Sequence, residues 1–232
     1  IGIEGSAIGE CELTVVVGIV TQAEHSQAEA ADRAYSNEQA IVGRNDGYRG
    51  PVIVKTDMNY GGMRELQQRF LQGDMTSTIT IQRPWRRVAW LEDYPIFKSP
   101  AEVPSGVWQN PHLVVEKFLP ERNAAGEYLL RIWVFFGDRE IYYQCVANEP
   151  VIKSTNTLRR ETLDPAGLPQ SLRESRARLG FDYGKFDFAL SDGAVALYDV
   201  NRTPGFPRSE NEPPEVAANM RLLSAGLDSF LD

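Results

Sequence analysis

Short apolar runs, polar turns and one charged helical stretch alternate along this chain. Leu13-Thr14-Val15-Val16-Val17-Gly18-Ile19-Val20 is an apolar run with no basic region before it, and it reads as a buried strand. Gln22 to Gln39 is polar and alanine-rich, as in a surface helix or a loosely packed connection. Turn chemistry from Arg44 to Pro51 precedes the β-branched strand Val52-Ile53-Val54-Lys55, which leads to a loop containing Gly61-Gly62. Met63 to Leu71 has helical composition, and Thr76 to Gln82 alternates as in a half-buried strand. Leu113 to Pro120 is a further apolar strand.

The second half is richer in strands. Tyr128 to Phe136 and Glu140 to Ala147 predict a hairpin about Gly137-Asp138, and Lys185 to Leu190 with Ala194 to Val200 predict another about Asp192-Gly193. Pro169 to Leu179 predicts a helix whose Leu172 and Leu179 sit on a face otherwise charged, and Pro213 to Leu231 a closing helical region. Hairpins alternating with helices predict an α+β fold.

Composition narrows the function. With 42% hydrophobic and 24% charged residues, the chain can bury a core and is not broadly disordered. A formal charge of −8 argues against a general nucleic-acid binder, which needs a positive field. No apolar run is long enough to span a bilayer. The two cysteines, Cys11 and Cys145, form neither a zinc pattern nor a disulfide framework, and the two histidines make a histidine-rich metal site a poor expectation. A cytoplasmic location fits this cysteine usage. The chain begins at Ile1 rather than Met, so preceding residues are expected.

The chemistry concentrates in the last hairpin. Asp199 and Asn201, two apart on a strand, share a face, and pairing about the turn brings Asp187 across from them. Carboxylate and amide oxygens suit a hard ion such as Mg²⁺, which takes further ligands from water and phosphates. As a single residue, Asp187 is more simply a solvated polar position. All three together, followed by Thr203-Pro204-Gly205, favour a metal site.

Asp187, then Asp199-Val200-Asn201-Arg202-Thr203-Pro204-Gly205, resembles the C-terminal signature of ATP-grasp ligases such as D-alanine–D-alanine ligase, glutathione synthetase and the ligases that add glutamate to a ribosomal protein. There an acidic residue precedes a Glu-x-Asn-x-x-Pro-Gly segment, and together they hold two magnesium ions against ATP. This chain has Asp199 where glutamate is usual. Val52 to Lys55 resembles the strand whose lysine reaches the nucleotide phosphates, and Gly61 and Gly62 would belong to the glycine-rich loop, although that loop has more glycine and serine in the family. Val114 to Pro120 resembles the hinge around adenine, with main chain of Lys117 and Leu119 and the side chain of Glu116 near the base. Glu127 matches the ribose-binding acid, with Glu121 as a competitor. Arg131 resembles the arginine of the Arg-Val-Phe-Val strand in the glutamate-adding ligases, and Lys153 and Lys185 are further phosphate or intermediate contacts. Arg33, Arg44 and Arg49 are open candidates for a second phosphate-binding cation.

The resemblance runs in the family's order from about Pro51 to Pro207. It implies an ATP-grasp fold, two α/β lobes with ATP between them. Residues 51–115 would form the small lobe, 116–232 the C-terminal lobe with the metal site, and 1–50 a partial or unrecognised N-terminal segment. The implied activity is ATP- and Mg²⁺-dependent joining of a carboxylate to an amine or thiol through an acylphosphate. One or two ions are implied, with Mn²⁺ as a substitute. Catalytic roles fall to Arg131 and Lys185; cofactor binding to Lys55, Gly61, Gly62, Glu116, Lys117, Leu119, Glu127 and Lys153; metal binding to Asp187, Asp199 and Asn201. The substrate would be a small molecule or peptide, the partners neither nucleic acid nor membrane, and a homodimer is compatible. A small-molecule kinase and a noncatalytic nucleotide-binding module are the alternative readings.

Overall fold

β-branched and aromatic residues dominate the strands of the computed structural model, which describes residues 40–56, 71, 73, 94–111, 113–191, 193–202, 204 and 214–231. Expectations for Leu13 to Val20, Gln22 to Gln39, Gly61 and Gly62, Met63 to Phe70, Thr76 to Gln82, Asp192, Thr203 and Gly205 lie outside the described residues.

The described residues form an α+β fold with two antiparallel sheets. In the first, β1 (Val52–Thr56) lies between β2 (Ile96–Phe97) and β3 (Leu113–Lys117). Its outer layer is a valine core of Val42, Val52, Val54, Val103, Val107 and Val115, capped by the short helix α1 (Ser105–Trp108). Ile53, Tyr94 and Phe118 form a smaller cluster on the opposite face. The outer edge of β3 is covered by the chain at Ala40 and Val42, where Lys117 N–H donates to Ala40 O (2.8 Å) and Val42 N–H to Val115 O (2.8 Å). Those bonds satisfy edge groups that would otherwise stay exposed.

Three residues, Phe118 to Pro120, lead into the second sheet. It contains β4 (Glu121–Arg122), β5 (Tyr128–Phe136), β6 (Arg139–Ala147), β7 (Arg159–Leu163), β8 (Tyr183–Ser191) and β9 (Ala194–Asn201), in the order β7-β6-β5-β8-β9 with β4 on β5. Both expected hairpins are present. The helix α2 (Gln170–Leu179) ends at Gly180, whose φ of +63° supplies the left-handed cap. Its Leu172 packs with Trp133, Phe135, Tyr142, Phe186 and Phe188 on one face of the sheet. On the other face Leu130, Ile132, Val134, Ile141, Cys145, Ala189 and Tyr198 pack with Leu223 of α3 (Pro214–Ser224). A 3-10 turn over Ala225–Phe230 follows α3, where sequence composition alone suggested one helical region.

Candidate functional site: a lysine and two buried aspartates

Lys55 ends the apolar part of β1, and alternation places it on the face of Ile53, away from the valine core. Glu116 stands opposite Ile53 and is therefore its diagonal neighbour on that face. The two side chains are almost wholly buried, with Lys55 Nζ 2.8 Å from Glu116 Oε2. Beyond this ion pair, Lys55 Nζ and both Glu116 oxygens have no other hydrogen-bond partner among the described residues. Burial pushes the Lys55 amine down to about 8, against the opposing pull of Glu116 and Asp199. Burial pushes the Glu116 carboxyl up to about 7, with Lys55 opposing. Such a pair is costly to keep in a fold, so its presence on an inward-facing sheet surface points to use.

The carboxylates come from β8 and β9. At the turn end of this hairpin Ser191 faces Ala194 and Phe188 faces Leu197, a register that, continued, would put Asp187 opposite Tyr198. Instead a β-bulge at Tyr198 shifts the register by one residue, so Asp187 faces Asp199 and Lys185 faces Asn201. Without it Asp199 would lie on the opposite face. Asp187 also faces Ile132 and Lys185 faces Val134 across β5, so all four polar side chains belong to the face that carries Leu130, Ile132 and Val134.

Both aspartates are buried. Lys185 Nζ lies 2.8 Å from Asp187 Oδ2, while Asp187 Oδ1 has no partner among the described residues. Burial raises both carboxyls. Asp199 reaches about 7 through burial first and repulsion by Asp187 second, opposed by Lys185 and Lys55. Lys55 and Asp199 feel each other's charge, so the lysine of one sheet and the carboxylate of the other lie within electrostatic reach. Among the described residues no group of three or more His, Cys, Asp or Glu side chains is arranged to hold a metal. The donor set here is two carboxylates plus the Asn201 amide, hard oxygens suited to a divalent ion. The buried Asp187 Oδ1, without a partner among the described residues, is an oxygen of the kind that a bound cation would satisfy.

Other candidates fall elsewhere. Arg131 is on the opposite face, with Phe188 as its cross-strand neighbour, and is clamped by Glu121 (Nε to Oε2 2.8 Å, Nη2 to Oε1 2.6 Å) and by the Tyr142 hydroxyl (2.8 Å). The expectation that Arg131 neutralises phosphate is therefore corrected: its planar fork is committed to a carboxylate on the α2 side of the sheet. Glu121, the competitor for the ribose, holds Arg131 and also accepts Leu190 N–H (2.7 Å). Glu127 accepts two bonds from Arg159 (2.8 and 2.7 Å) and one from Asn123 (2.7 Å), and these hold its carboxyl down at about 2. The Lys117 N–H donates to Ala40 O, and the Leu119 carbonyl accepts from the Tyr198 hydroxyl (2.5 Å), which leaves that carbonyl one further lone pair. Lys153 lies over the Tyr94 ring, 5.6 Å from its centre. Sequence reasoning missed Tyr198. Its signal was the placement of apolar Leu197 and acidic Asp199 two apart, a pairing that strict alternation would force onto one face.

No family model matches the chain, and no curated protein matches it. Among solved structures it is similar to macrocyclase MdnC bound with precursor peptide MdnA from Microcystis aeruginosa MRC (14% identity, 93% of this chain, 56% of that chain, TM-score 0.42). It is also similar to the ATP-grasp ligase PsnB complexed with minimal precursor (12% identity, 88% of this chain, 52% of that chain, TM-score 0.41). A third is D-alanine–D-alanine ligase from Bacillus anthracis (14% identity, 88% of this chain, 64% of that chain, TM-score 0.37). The chain thus spans between half and two-thirds of the length of these structures. Of these three structures one is an ATP-grasp ligase, one a macrocyclase and one a D-alanine–D-alanine ligase.

Proposed function

We propose that the chain binds ATP with Mg²⁺ and joins a carboxylate to an amine or thiol through an acylphosphate. The observation that carries the reading is the buried pair Asp187 and Asp199, opposed on neighbouring strands, with buried Lys55 within electrostatic reach of Asp199. A cation-binding carboxylate pair facing a lysine is a site for a polyanion bridged by a metal. The order of the sequence motifs supports a nucleotide as that polyanion. Residues 51–115 and 116–232 would act as the two lobes.

Asp187, Asp199 and the Asn201 amide would hold Mg²⁺, which supplies charge neutralisation to phosphate oxygens when bound. Lys55 still carries its proton near neutral pH and presents it where a phosphate oxygen can replace Glu116 as its counter-ion. Lys185, already on Asp187, is positioned to offset charge developing at the transferred phosphoryl group. A substrate carboxylate oxygen then attacks the γ-phosphorus and ADP departs. An amine attacks the acyl carbon, loses its proton and expels phosphate. The protein's part is positioning and charge complementarity rather than a covalent nucleophile.

The test follows one oxygen. With ¹⁸O-labelled carboxylate substrates drawn from acidic peptides and paired with amines, one label should appear in the released phosphate, and turnover should require both partners. ADP formation with no amine and a stable phosphorylated product would instead identify a kinase. ATP binding with no turnover across the panel would identify a noncatalytic module.

A further inference from the structure

Tyr198 joins two regions that the proposed function treats separately. It is the extra residue of the β9 bulge, so it is the reason Asp199 shares a face with Asp187. Its side chain is buried among Leu130, Cys145 and Ala189, and its hydroxyl donates to Leu119 O at 2.5 Å, 79 residues away in sequence. Leu119 is the middle residue of the three that connect β3 to β4, and hence one sheet to the other. A second tie lies two residues on: Glu121 Oε2 accepts Leu190 N–H at 2.7 Å while Arg131 holds the same carboxylate. The connection is thus pinned at its middle, and just past its end, to the β8–β9 hairpin that carries the aspartates.

We propose that Tyr198 is a positioning residue that couples occupancy of the Asp187–Asp199 pair to the geometry of the Phe118–Pro120 connection, and so links metal binding to recognition of the nucleotide base. The inference rests on the nucleotide-binding reading for its second half only.

The physical basis is short. A phenol in a dry setting has one proton to donate, and a backbone carbonyl is its acceptor here. The bulge backbone that sets Asp199 also sets where that proton points. A cation drawing Asp199 towards Asp187 shifts the same two peptide units, and the shift is delivered to Leu119 through a single hydrogen bond. Coupling of this sort needs contiguous, rigid contacts, which the buried ring supplies.

The test uses the full chain and Tyr198→Phe, which keeps the ring and removes the donor. Hydrogen exchange is measured at the amides of residues 118–121, without ligand and with Mn²⁺ alone. In the wild type Mn²⁺ should slow exchange there. In Tyr198→Phe basal exchange should be about tenfold faster and Mn²⁺ should leave it unchanged, while Mn²⁺ affinity stays within about twofold. Calorimetry then compares ATP with inorganic tripolyphosphate, both with Mg²⁺. The variant should lose about tenfold in ATP affinity and little for tripolyphosphate. Glu121→Gln, which weakens the second tie, should act in the same direction.

Each failure has its own meaning. Equal exchange in the two proteins, or Mn²⁺ protection that persists in Tyr198→Phe, overturns the coupling whether or not ATP binds. Equal ATP affinity in the two proteins overturns the link to the base and leaves the proposed function standing. No ATP binding by the wild type overturns the proposed function, with the exchange experiment still deciding the coupling.

Discussion

Replacing both members of the buried pair, Lys55→Met with Glu116→Gln, should make the chain more stable and unable to hold ATP. Glu116 moves from an ordinary 4.5 to about 7 in the fold, which corresponds to about 3 kcal/mol against its ionised form. Lys55 moves from 10.5 to about 8, a similar penalty of about 3 kcal/mol on its charged form. The signs are opposite in pH. Because the Glu116 pKa is raised on folding, the folded state binds more protons between 4.5 and about 7, and its contribution to stability is lost as pH rises through that window. Because the Lys55 pKa is depressed, the unfolded state binds more protons between about 8 and 10.5, and stability is lost as pH falls through that window. The two contributions together place a stability minimum at a pH of about 7 to 8, where both groups are charged. Removing both charges should raise stability there by about 1–4 kcal/mol and flatten the minimum. Lys55→Met alone should cost about 3–5 kcal/mol at pH of about 7.5, because an uncompensated carboxylate remains buried. Urea unfolding of the wild type, both single variants and the double variant across pH measures this as a double-mutant cycle. A double variant no more stable than the wild type at that pH would refute the reasoning, since the pair would then be a stabilising element of the core.

Other predictions follow from the same contacts. Asp187→Asn should raise the stability of the metal-free chain by about 1 kcal/mol through relief of buried like charges, and should lower Mn²⁺ affinity at least about tenfold, read by thermal unfolding with and without the ion. Arg131→Met should destabilise the chain by about 3 kcal/mol by leaving the Glu121 carboxylate buried without its counter-charge, yet change tripolyphosphate affinity less than about threefold; a large loss of that affinity would return Arg131 to the site. Gly137→Ala should cost more than about 2 kcal/mol in chemical unfolding, because Gly137 has φ of +54° and a methyl there would meet Gly226 O and Ser229 Oγ of the C-terminal turn.

The strands and hairpins of the second half were legible because their signals are local. Tyr128 to Phe136 and Arg139 to Ala147 carry a glycine with positive φ between two long apolar runs, and the structure follows that pattern. Lys55, Asp187 and Asp199 were legible as candidate residues because a charge set in a strand of β-branched or aromatic residues has few structural reasons to be there. Asp187 was also expected across the hairpin from Asp199 and Asn201, and it does face Asp199, but the register that achieves this was not legible. Strict alternation brings Asp187 opposite Tyr198, and only the bulge reverses this, a one-residue shift that no periodicity encodes. Arg131 illustrates the converse. Its motif suggested phosphate, but which face an arginine takes depends on register with β8, and its partner Glu121 lies on a two-residue strand too short to show a pattern. The strand β7 was missed because Arg159 to Leu163 alternates charge with charge, its long side chains covering a sheet edge.

The most direct test of the account is calorimetric titration of the full chain with ATP, with and without Mg²⁺, alongside an Asp187→Asn, Asp199→Asn double variant. The account predicts saturable ATP binding that strengthens markedly with Mg²⁺ in the wild type and loses that dependence in the variant, while both proteins unfold cooperatively. No Mg²⁺-dependent ATP binding by a folded wild-type chain, or equal binding by the variant, would contradict the central claim that Lys55 and the paired aspartates form a metal-bridged nucleotide site.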